Sequence, residues 1–449
     1  MSRNQIAEFL LTEDELKECA DFAIREALRS GADQAEAGAS LDSGLEVTVR
    51  LGEVETLERS RDRGLGITVY FGKRKGSAST ADLSRSAIIE TVRAACEIAR
   101  YTAEDPHAGL ADAELMAQSV PDLDLWHPWS FTVEEAIELA QTCEAAARDL
   151  DKRINNSDGG TVSSHAGMRV YGNSHGFLGA YRGTSHSLSC TVLASEDGGM
   201  QRDYWYTASR DPAGLESAVA VGKRAAERTL RRLGARRLTT RKAPVLFVPE
   251  MAKSLVGHFL GAIRGTAQYR QTTFLLDAAG QTIFPEFMNI IEQPLIRKAI
   301  GSAPFDDEGV ATRERTLVDA GVLQGYVLSS YSARRLGLQT TGNAGGLRNV
   351  TVSPGTEDFA ALCRRMDRGL LVTELMGQGV NGVTGDYSRG ASGYWVENGE
   401  LAYPVEEITV AGNLQDMYAR IVATGNDTDT RGNIRIGSLL LEEMTIAGE

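Results

Sequence analysis

Residues 369–399 read GLLVTELMGQGVNGVTGDYSRGASGYWVENG and decide how the second half of the chain is built. The apolar run at the start of this tract predicts a strand, and residues 377–382 then match the G-x-G-x-x-G nucleotide fingerprint. A working fingerprint opens a helix, because the pyrophosphate binds the free N–H groups at the helix N-terminus. Seven glycines between residues 377 and 399 leave no run long enough for a stable helix. The tract therefore predicts extended backbone, and a nucleotide-dependent enzyme is the least favoured function.

The same glycine-rich tract suggests that the chain captures a peptide by strand addition. Main-chain pairing gives affinity with little demand on the side chains of the peptide. Asp386, Tyr387 and Arg389 are the polar side chains that we expect to contact a substrate or a partner. The alternative is a hairpin that only packs against its own domain. The residues alone leave both interpretations open.

The composition is that of an ordinary globular protein without a nucleic-acid surface. The 449 residues carry a formal net charge of -14, and counterion release on nucleic acid needs clustered Lys and Arg instead. Five widely spaced cysteines without a C-x-x-C pair indicate a reduced, cytoplasmic protein. The hydropathy pattern predicts neither a secretory signal nor a membrane span.

Periodicity predicts an α+β fold in three segments. Capping boxes at Thr12 and Thr132 each predict a helix that precedes strand-rich sequence. Helices packed on an antiparallel sheet are expected in the first half, and a β-rich region with a few helices is expected in the second. Within the first segment, residues 44–50, 53–59 and 64–71 predict a meander of short strands. The predicted division is an N-terminal subdomain at residues 1–120, a central subdomain at residues 121–235 and a C-terminal domain at residues 236–449.

Residues that could carry chemistry are present, but none forms a local catalytic motif. No pair among the six histidines has the i, i+4 spacing of a zincin, so structural hydrogen bonding is the favoured interpretation. Ser388 lacks the G-x-S-x-G elbow of a serine hydrolase. The consecutive carboxylates Asp306, Asp307 and Glu308 predict a solvated turn, with weak cation binding as the alternative. A solvated helix end is likewise predicted for the basic side chains Arg228, Arg231, Arg232, Arg236, Arg237, Arg241 and Lys242.

Taken together, phrases along nearly the whole chain resemble the TldD/TldE (PmbA) family, and most closely its PmbA, or TldE, branch. The resemblance is specific because many phrases occur in the family's order. They are RKGSAS at 74–79, NSHG at 173–176, FDDEG at 305–309, YSARRLG at 331–337, TELMGQG at 373–379, GDYSRG at 385–390 and WVENG at 395–399.

This resemblance implies a cytoplasmic zinc metallopeptidase in which a TldD-type and a TldE-type subunit pair. Family members are associated with trimming extended peptides, including maturation of a peptide antibiotic and turnover of an antitoxin, and they also carry the label of DNA gyrase modulators. In TldD-type chains the zinc is held by an H-E-x-x-x-H helix and a later cysteine.

When the zinc motif of the TldD-type chains is matched to this chain position by position, most of its residues are replaced. The matching segment reads KSLVGH at residues 253–258, so only His258 is retained. Lys253 replaces the first histidine, and an ammonium group repels a zinc ion. Ser254 replaces the glutamate that acts as general base, and Ile436 stands where the cysteine would lie. We therefore predict no catalytic residue and no metal ligand set in this chain, with zinc on a TldD-type partner.

The resemblance leaves two functions open. The first is the partner subunit of a peptidase, which would bind a TldD-type paralogue and extended peptides and would form a homodimer in isolation. The alternative is a non-proteolytic regulator that binds another protein, such as gyrase. The family is enzymatic, whereas the replaced zinc positions predict that this chain does not catalyse by itself. Neither function calls for a nucleic acid or a membrane partner.

Overall fold

The computed structural model describes residue 9 and residues 11–448. The first eight residues, on which the expected absence of a secretory signal rests, lie outside the described residues. The first half contains α1 (Glu13–Arg29), β1 (Gln34–Arg50), β2 (Glu53–Phe71), β3 (Arg74–Thr80), α2 (Arg85–Tyr101), α3 (Val133–Arg148), β4 (Ile154–Asn173), β5 (Leu178–Glu196), β6 (Gly199–Ser209) and α4 (Ala218–Arg231).

The second half contains more and shorter elements. They are β7 (Arg241–Phe247), α5 (Pro249–Ala262), α6 (Gly265–Tyr269), β8 (Ile290–Glu292), β9 (Arg315–Asp319), β10 (Val322–Leu323), α7 (Ser330–Leu336), β11 (Val350–Val352), α8 (Phe359–Met366), β12 (Gly369–Met376), β13 (Asp386–Glu397), β14 (Glu400–Asn413), α9 (Leu414–Ala419), β15 (Ile421–Thr424), β16 (Ile434–Arg435) and β17 (Leu439–Ala447). The predicted α+β class, with a β-rich second half, is confirmed.

Both predicted capping boxes form at the starts of their helices. The Thr12 hydroxyl accepts the Glu15 N–H, while the Glu15 carboxylate accepts the Thr12 N–H at 2.7 Å. Thr132 and Glu135 repeat this exchange at the start of α3. Each box satisfies N–H groups that the first turn of a helix leaves unpaired. The starts of α1 and α3 are therefore set by local sequence.

One antiparallel sheet joins the predicted N-terminal and central segments. Its strand order is β3-β2-β1-β4-β5-β6, and β1 pairs with β4 along most of its length. Alternate residues of β1 are buried, and the helices α1 to α4 cover this apolar face in two packed clusters. Both segments therefore contribute three strands to a shared sheet, while the domain boundary at residue 120 stays a prediction.

The predicted meander of short strands is wrong in one respect. Residues 53–59 and 64–71 belong to a single strand, β2, which pairs with β1 without a break through residues 60–63. A short charged segment, residues 60–63, lies between the two predicted strands. It remains extended because the ladder to β1 satisfies its backbone while its side chains reach solvent.

Five of the C-terminal strands form a closed ring. The strand order of the C-terminal sheet is β14-β13-β12-β7-β17-β15, and β14 also pairs with β17, which closes the ring. A second, small sheet with the order β10-β9-β8-β11-β16 lies beside it. The ring surrounds a large apolar core in which Phe247, Tyr387 and Trp395 are almost fully buried. None of the helices among the described residues is long and apolar enough to cross a membrane.

The glycine-rich tract is a hairpin, which is one of the two interpretations that the sequence left open. Residues 377–385 connect β12 to β13 without a helix, so the nucleotide-fingerprint interpretation fails. Two of its glycines allow close backbone contacts: a Cβ at Gly379 would lie 1.9 Å from the Ser388 carbonyl oxygen, and one at Gly393 would lie 1.8 Å from that of Leu371. Gly393 also sits at a bulge, where glycine lets a strand bend.

Strand addition to β13 is a prediction that the structure contradicts. One edge of β13 pairs with β12 and the other pairs with β14. A peptide cannot hydrogen-bond to a strand whose N–H and C=O groups are already paired on both sides. The inner position of β13, between β12 and β14, is therefore the physical reason why the extended tract is not a free template.

We expect Gly393→Ala to destabilise the C-terminal half by about 1–3 kcal/mol, because the new methyl group would overlap a main-chain oxygen. The matched control is Gly382→Ala in the same tract, since a Cβ at Gly382 meets nothing within 4 Å. We expect the control to change stability by less than about 0.5 kcal/mol. Urea denaturation of the two variants measures the difference, and equal midpoints would contradict the close contact.

Candidate functional site

Helix α5 presents two different sides to its surroundings. Pro249 occupies its first turn, where the missing N–H costs nothing and the fixed φ suits a helix. One side buries Leu255, Val256 and Phe259 in the C-terminal core. The other side is only half-buried. It carries Lys253, Ser254 and His258, which the family resemblance matches to the zinc motif, together with Gly257.

Lys253 is held in a buried ion pair. Its Nζ lies 2.5 Å from Oδ2 of Asp429, whose side chain is 6% exposed. Arg431 donates to the same carboxylate from Nε at 2.9 Å and from Nη2 at 3.0 Å. Burial by itself would raise the pKa of Asp429, but the hydrogen bonds from Arg431 and Lys253 outweigh it and hold the pKa at about 2. Asp429 is therefore ionised and compensates two cations.

Asp429 also connects Lys253 to the position expected for a third ligand. The Asp429 N–H donates to the carbonyl oxygen of Ile436 at 2.9 Å, and the Ile436 side chain is fully buried in the apolar core. Lys253 and Ile436 thus both contact Asp429, one through its carboxylate and the other through its main chain, although they are distant in the chain. The structure brings together the positions that the family resemblance singled out.

A chain of ion pairs runs from this carboxylate towards the first half of the protein. Arg431 reaches Glu250 at 3.1 Å, and Arg228 lies 3.8 Å from Glu250 and 3.3 Å from Asp203. The guanidinium of Arg431 also stacks 4.2 Å from the Trp205 ring. This chain joins α4 and β6 to α5 across a cavity of about 700 Å³.

The predicted solvated helix end is wrong for part of the basic segment. Arg232 is 8% exposed and pairs with Glu374 at 2.6 Å, and Arg228 is turned towards Asp203. Burying these cations requires acidic partners from other elements. The sequence does not show those partners, because Asp203 and Glu374 lie in strands far from the basic run.

The residues present do not fit a zinc ion. A structural or catalytic zinc site needs at least three donors such as His nitrogen, thiolate or carboxylate. Lys253 is a paired cation, the Ser254 hydroxyl accepts from Arg389, and Ile436 has no donor atom. Among residue 9 and residues 11–448, no group of three or more His, Cys, Asp or Glu side chains could hold a metal ion. The prediction that this chain carries no zinc itself remains a prediction.

Four polar side chains converge on the same side of α5. We call Ser254, His258, Tyr387 and Arg389 the His258 cluster. Nη1 of Arg389 donates to Oγ of Ser254 at 3.1 Å. The His258 and Tyr387 rings meet edge to face, with centroids 6.1 Å apart at an angle of 76°. The cluster therefore joins the hairpin strand β13 to the helix with the altered zinc motif.

Burial controls the protonation of the cluster. It lowers the pKa of His258, and the charge of Arg389 lowers it further, so the imidazole is neutral at pH 7. Burial raises the pKa of Tyr387 to about 12, against the effect of the nearby Arg389. Although Arg389 is close enough to influence the phenol, the Tyr387 hydroxyl has no hydrogen-bond partner among the described residues.

Asp386 does not belong to this cluster. It is exposed, and its carboxylate accepts from the Thr384 hydroxyl at 2.6 Å at the hairpin tip. Tyr387 is 2% exposed, so its side chain is no surface contact in this conformation. Alternation along a strand explains the difference, since neighbouring residues point to opposite faces. Whether Asp386, Tyr387 or Arg389 contacts a substrate or partner stays a prediction.

The predicted solvated turn at the three carboxylates is wrong for Asp306. Its side chain is buried, with Oδ1 accepting the N–H groups of Glu308 and Val310 and Oδ2 accepting that of Ala344. Only Asp307 of the three is exposed. Burial and the neighbouring Glu308 carboxylate raise the pKa of Asp306 to about 7. An aspartate that caps its own turn is a recognisable sequence signal, but its burial depends on distant packing.

Two of the histidines have the structural contacts that the sequence favours. His186 is buried, and its ring nitrogens lie 2.9 Å from the Ser164 hydroxyl and 2.8 Å from the His127 carbonyl oxygen. His165 lies 2.9 Å from the Ser163 hydroxyl. The residues that sequence reasoning missed are Asp429, Arg431 and Glu250, which lie in no recognisable motif.

We expect Asp429→Asn to lower the free energy of unfolding by about 3–5 kcal/mol, because it leaves Lys253 without its counter-ion and leaves Arg431 with Glu250 as its remaining acidic partner among the described residues. Lys253→Met should cost about 2 kcal/mol or less, since Arg431 still pairs with Asp429. The matched control is Glu443→Gln, which removes an exposed partner of Lys242 and should change stability by less than about 0.5 kcal/mol. Urea denaturation tests this order, and an equal effect of Asp429→Asn and Glu443→Gln would contradict it.

Asp306 should make stability depend on pH. Its pKa is about 7 in the folded chain against an ordinary 3.8, so the folded chain retains a proton that the unfolded chain loses in between. Its contribution to stability is therefore greatest at low pH and declines as the pH rises from 3.8 to about 7. Asp306→Asn should flatten this part of the thermal-midpoint profile, while the exposed control Asp307→Asn should keep it. A wild-type slope in Asp306→Asn would refute the assignment.

Comparison with known proteins places this site in a described family. Models of the PmbA/TldA metallopeptidase match three parts of the chain: domain 1 at residues 35–99, the central domain at residues 126–233 and the C-terminal domain at residues 240–448. The chain is 52% identical to the metalloprotease PmbA of Escherichia coli O157:H7 over 97% of this chain and 96% of that protein. It is 47% identical to the PmbA homolog of Haemophilus influenzae over 100% and 99% of the two chains.

Solved structures and more distant relatives agree with these matches. A crystal structure from Bacteroides thetaiotaomicron, named a "putative modulator of DNA gyrase", has a TM-score of 0.92 and 29% identity and covers 98% of this chain and 100% of that chain. The metalloprotease TldD homolog of Haemophilus influenzae is 23% identical over 80% of this chain and 78% of that protein. The relatives therefore include both PmbA-type and TldD-type chains.

Proposed function

The chain belongs to the PmbA/TldD metallopeptidase family, and from this we propose that it is the subunit without catalytic metal in a two-chain peptidase. A TldD-type paralogue would carry the zinc, and this chain would shape the site to which extended peptides bind. The proposed complex is cytoplasmic. Haemophilus influenzae has both a PmbA homolog and a TldD homolog, which supports a pair of paralogous chains.

The proposal depends on one observation. Where the resemblance places the first zinc ligand, this chain has the cation of Lys253, which forms an ion pair with Asp429. A zinc ion at this position would have to displace the ammonium group of Lys253. The counter-ion of that ammonium, Asp429, lies at 2.5 Å and is itself buried. Breaking such a pair costs about 3–5 kcal/mol, so the altered motif is a stable structural feature. This favours a supporting role for the chain over catalysis by its own metal.

The described residues can contribute to a peptide site without a metal. The cavity between α4, α5 and the loop at residues 427–431 is lined by cations, acids and the Trp205 ring. Its volume of about 700 Å³ is within the range of ligand pockets. In the proposed complex, these groups would bind and orient a peptide while the partner supplies the reactive centre.

A non-proteolytic regulator is the second candidate. The name of the Bacteroides thetaiotaomicron structure favours it, as does the formal charge of -14, which would repel DNA but could attract a basic protein surface. The two candidates differ in their partner. The peptidase subunit requires a TldD-type chain, whereas the regulator requires gyrase or another target protein.

The decisive experiment compares the purified chain, a TldD-type paralogue from the same host and their mixture. We expect no stoichiometric zinc and no peptide cleavage for this chain alone. The mixture should cleave unfolded peptides, and a chelator should abolish that activity because the zinc sits on the partner. Metal analysis of each chain and an assay with a denatured peptide substrate provide the measurements.

Two controls sharpen this experiment. Lys253→Met in this chain should leave the activity of the mixture unchanged, whereas altering the metal ligands of the paralogue should abolish it. Zinc-dependent cleavage by this chain alone would falsify the proposal. Co-purification with gyrase in place of a TldD-type chain would favour the regulator.

A further inference from the structure

The His258 cluster lies where one face of α5 meets one face of β13. Ser254 and His258 are four residues apart and therefore lie on the same side of the helix. Tyr387 and Arg389 are two residues apart and point to the same side of the strand. The two pairs belong to distant parts of the chain, yet Ser254 and Arg389 are in hydrogen-bond contact at 3.1 Å.

Three polar atoms of this cluster have no partner. Nε2 of His258, the hydroxyl of Tyr387 and Nε of Arg389 are shielded from solvent and make no hydrogen bond of good geometry to a described residue, although the Arg389 guanidinium is close enough to the Tyr387 phenol to lower its pKa. Only nine side-chain atoms of the described chain share this condition, so a third of them meet at one place. A buried polar group without a partner costs about 1–3 kcal/mol. A bound water, an ion or a ligand is the ordinary partner of such buried polar atoms.

The charge of the cluster selects the kind of ligand. Among the described residues, Arg389 makes no ion pair, and its hydrogen bonds go to the Ser254 hydroxyl and the Leu375 carbonyl oxygen. The cluster contains no carboxylate, and its imidazole is neutral at pH 7. One uncompensated cation surrounded by hydroxyl and ring donors attracts an anion and repels a metal ion. A guanidinium matches the planar geometry of a carboxylate best.

The surroundings indicate how a carboxylate could arrive. Ser254, His258 and Arg389 are half-buried, so parts of these side chains reach the surface while the unpaired atoms lie just beneath it. Next to it, a Cβ added at Gly257 or Gly261 would meet nothing within 4 Å, so the backbone of a second chain can approach the helix closely. Both edges of β13 are occupied, which prevents a peptide from joining as a strand. A peptide would therefore reach the cluster with its end.

We propose that the His258 cluster binds the C-terminal carboxylate of a peptide. Arg389 provides the charge, and the Tyr387 hydroxyl, the Ser254 hydroxyl and the His258 ring complete the hydrogen bonds. The proposal rests on the proposed function only for the class of ligand, an extended peptide. The affinity for a carboxylate follows from this chain alone and needs no partner and no metal.

The test measures binding of N-acetyl-tetraalanine with a free carboxylate and of its C-terminal amide to the full isolated chain by calorimetry. We expect the free acid to bind at least tenfold more tightly than the amide, because only the acid forms a charge-assisted pair with Arg389. Arg389→Gln should weaken binding of the free acid about 10- to 100-fold and leave the amide unaffected. Arg389→Lys should restore part of the difference.

Two further variants separate an effect on carboxylate binding from an effect on folding. Tyr387→Phe preserves the buried ring and should weaken binding of the free acid about 3- to 10-fold. Ser388→Ala is the matched control, because Ser388 is exposed on the opposite face of β13 and should not change binding. Thermal unfolding of each variant verifies that the fold is intact.

Equal binding of the acid and the amide would overturn the proposal, as would full binding by Arg389→Gln. Acetate that binds as tightly as the peptide acid would also overturn it, since the site would then take any small carboxylate. Absence of all binding would identify the unpaired atoms as a site for buried water only. These results are separate from the cleavage assay: the complex can cleave peptides even if this site fails, and the site can bind carboxylates even if no complex forms.

Discussion

The buried carboxylate of Asp429 is the interaction on which the arrangement of the site depends. It compensates Lys253 on α5 and Arg431 on its own loop, and its main chain pairs with Ile436. Through Arg431, the ion pairs continue to Glu250 and onward to Arg228 in the first half of the chain. The charge of Asp429 thus connects α5, the loop at residues 427–431 and the first half of the chain. The connection is needed because a buried cation is tolerated only with a nearby counter-ion.

This arrangement changes what the zinc-motif helix can do. With Lys253 neutralised internally and Ser254 bonded to Arg389, the segment supports the fold where a metal site would need free donors. The adjacent cluster differs, because three of its polar atoms are unpaired and its one cation forms no ion pair with an acid among the described residues. The charge of Lys253 on α5 is therefore paired, whereas the ring of His258 on the same helix has a buried nitrogen without a partner among the described residues. That asymmetry is the physical basis of the proposal that this chain binds a peptide and does not supply the catalytic metal.

Local signals in the sequence predicted much of the fold, and non-local packing decided the rest. Capping boxes involve residues three apart, and the glycine content of residues 377–399 excludes a helix without reference to any neighbour. The burial of Asp306, by contrast, depends on a hydrogen bond to Ala344. Closure of the C-terminal ring likewise depends on the pairing of β14 with β17, which are separated by other elements in the chain. No periodicity in the chain encodes these long-range contacts.

The sequence by itself determined the α+β class, the start of α1 and α3 and the extended backbone of the glycine-rich tract, while the replaced zinc positions at residues 253, 254 and 436 are what the family resemblance implies. The first three follow from residue type and short-range geometry, which are the same in any surroundings. Only the tertiary structure decided that Lys253 is paired with Asp429, 176 residues away, and that His258 meets Tyr387 and Arg389. The reason is physical: a charge or polar group is compensated by whatever the fold places beside it, and that neighbour is set by packing over the whole chain.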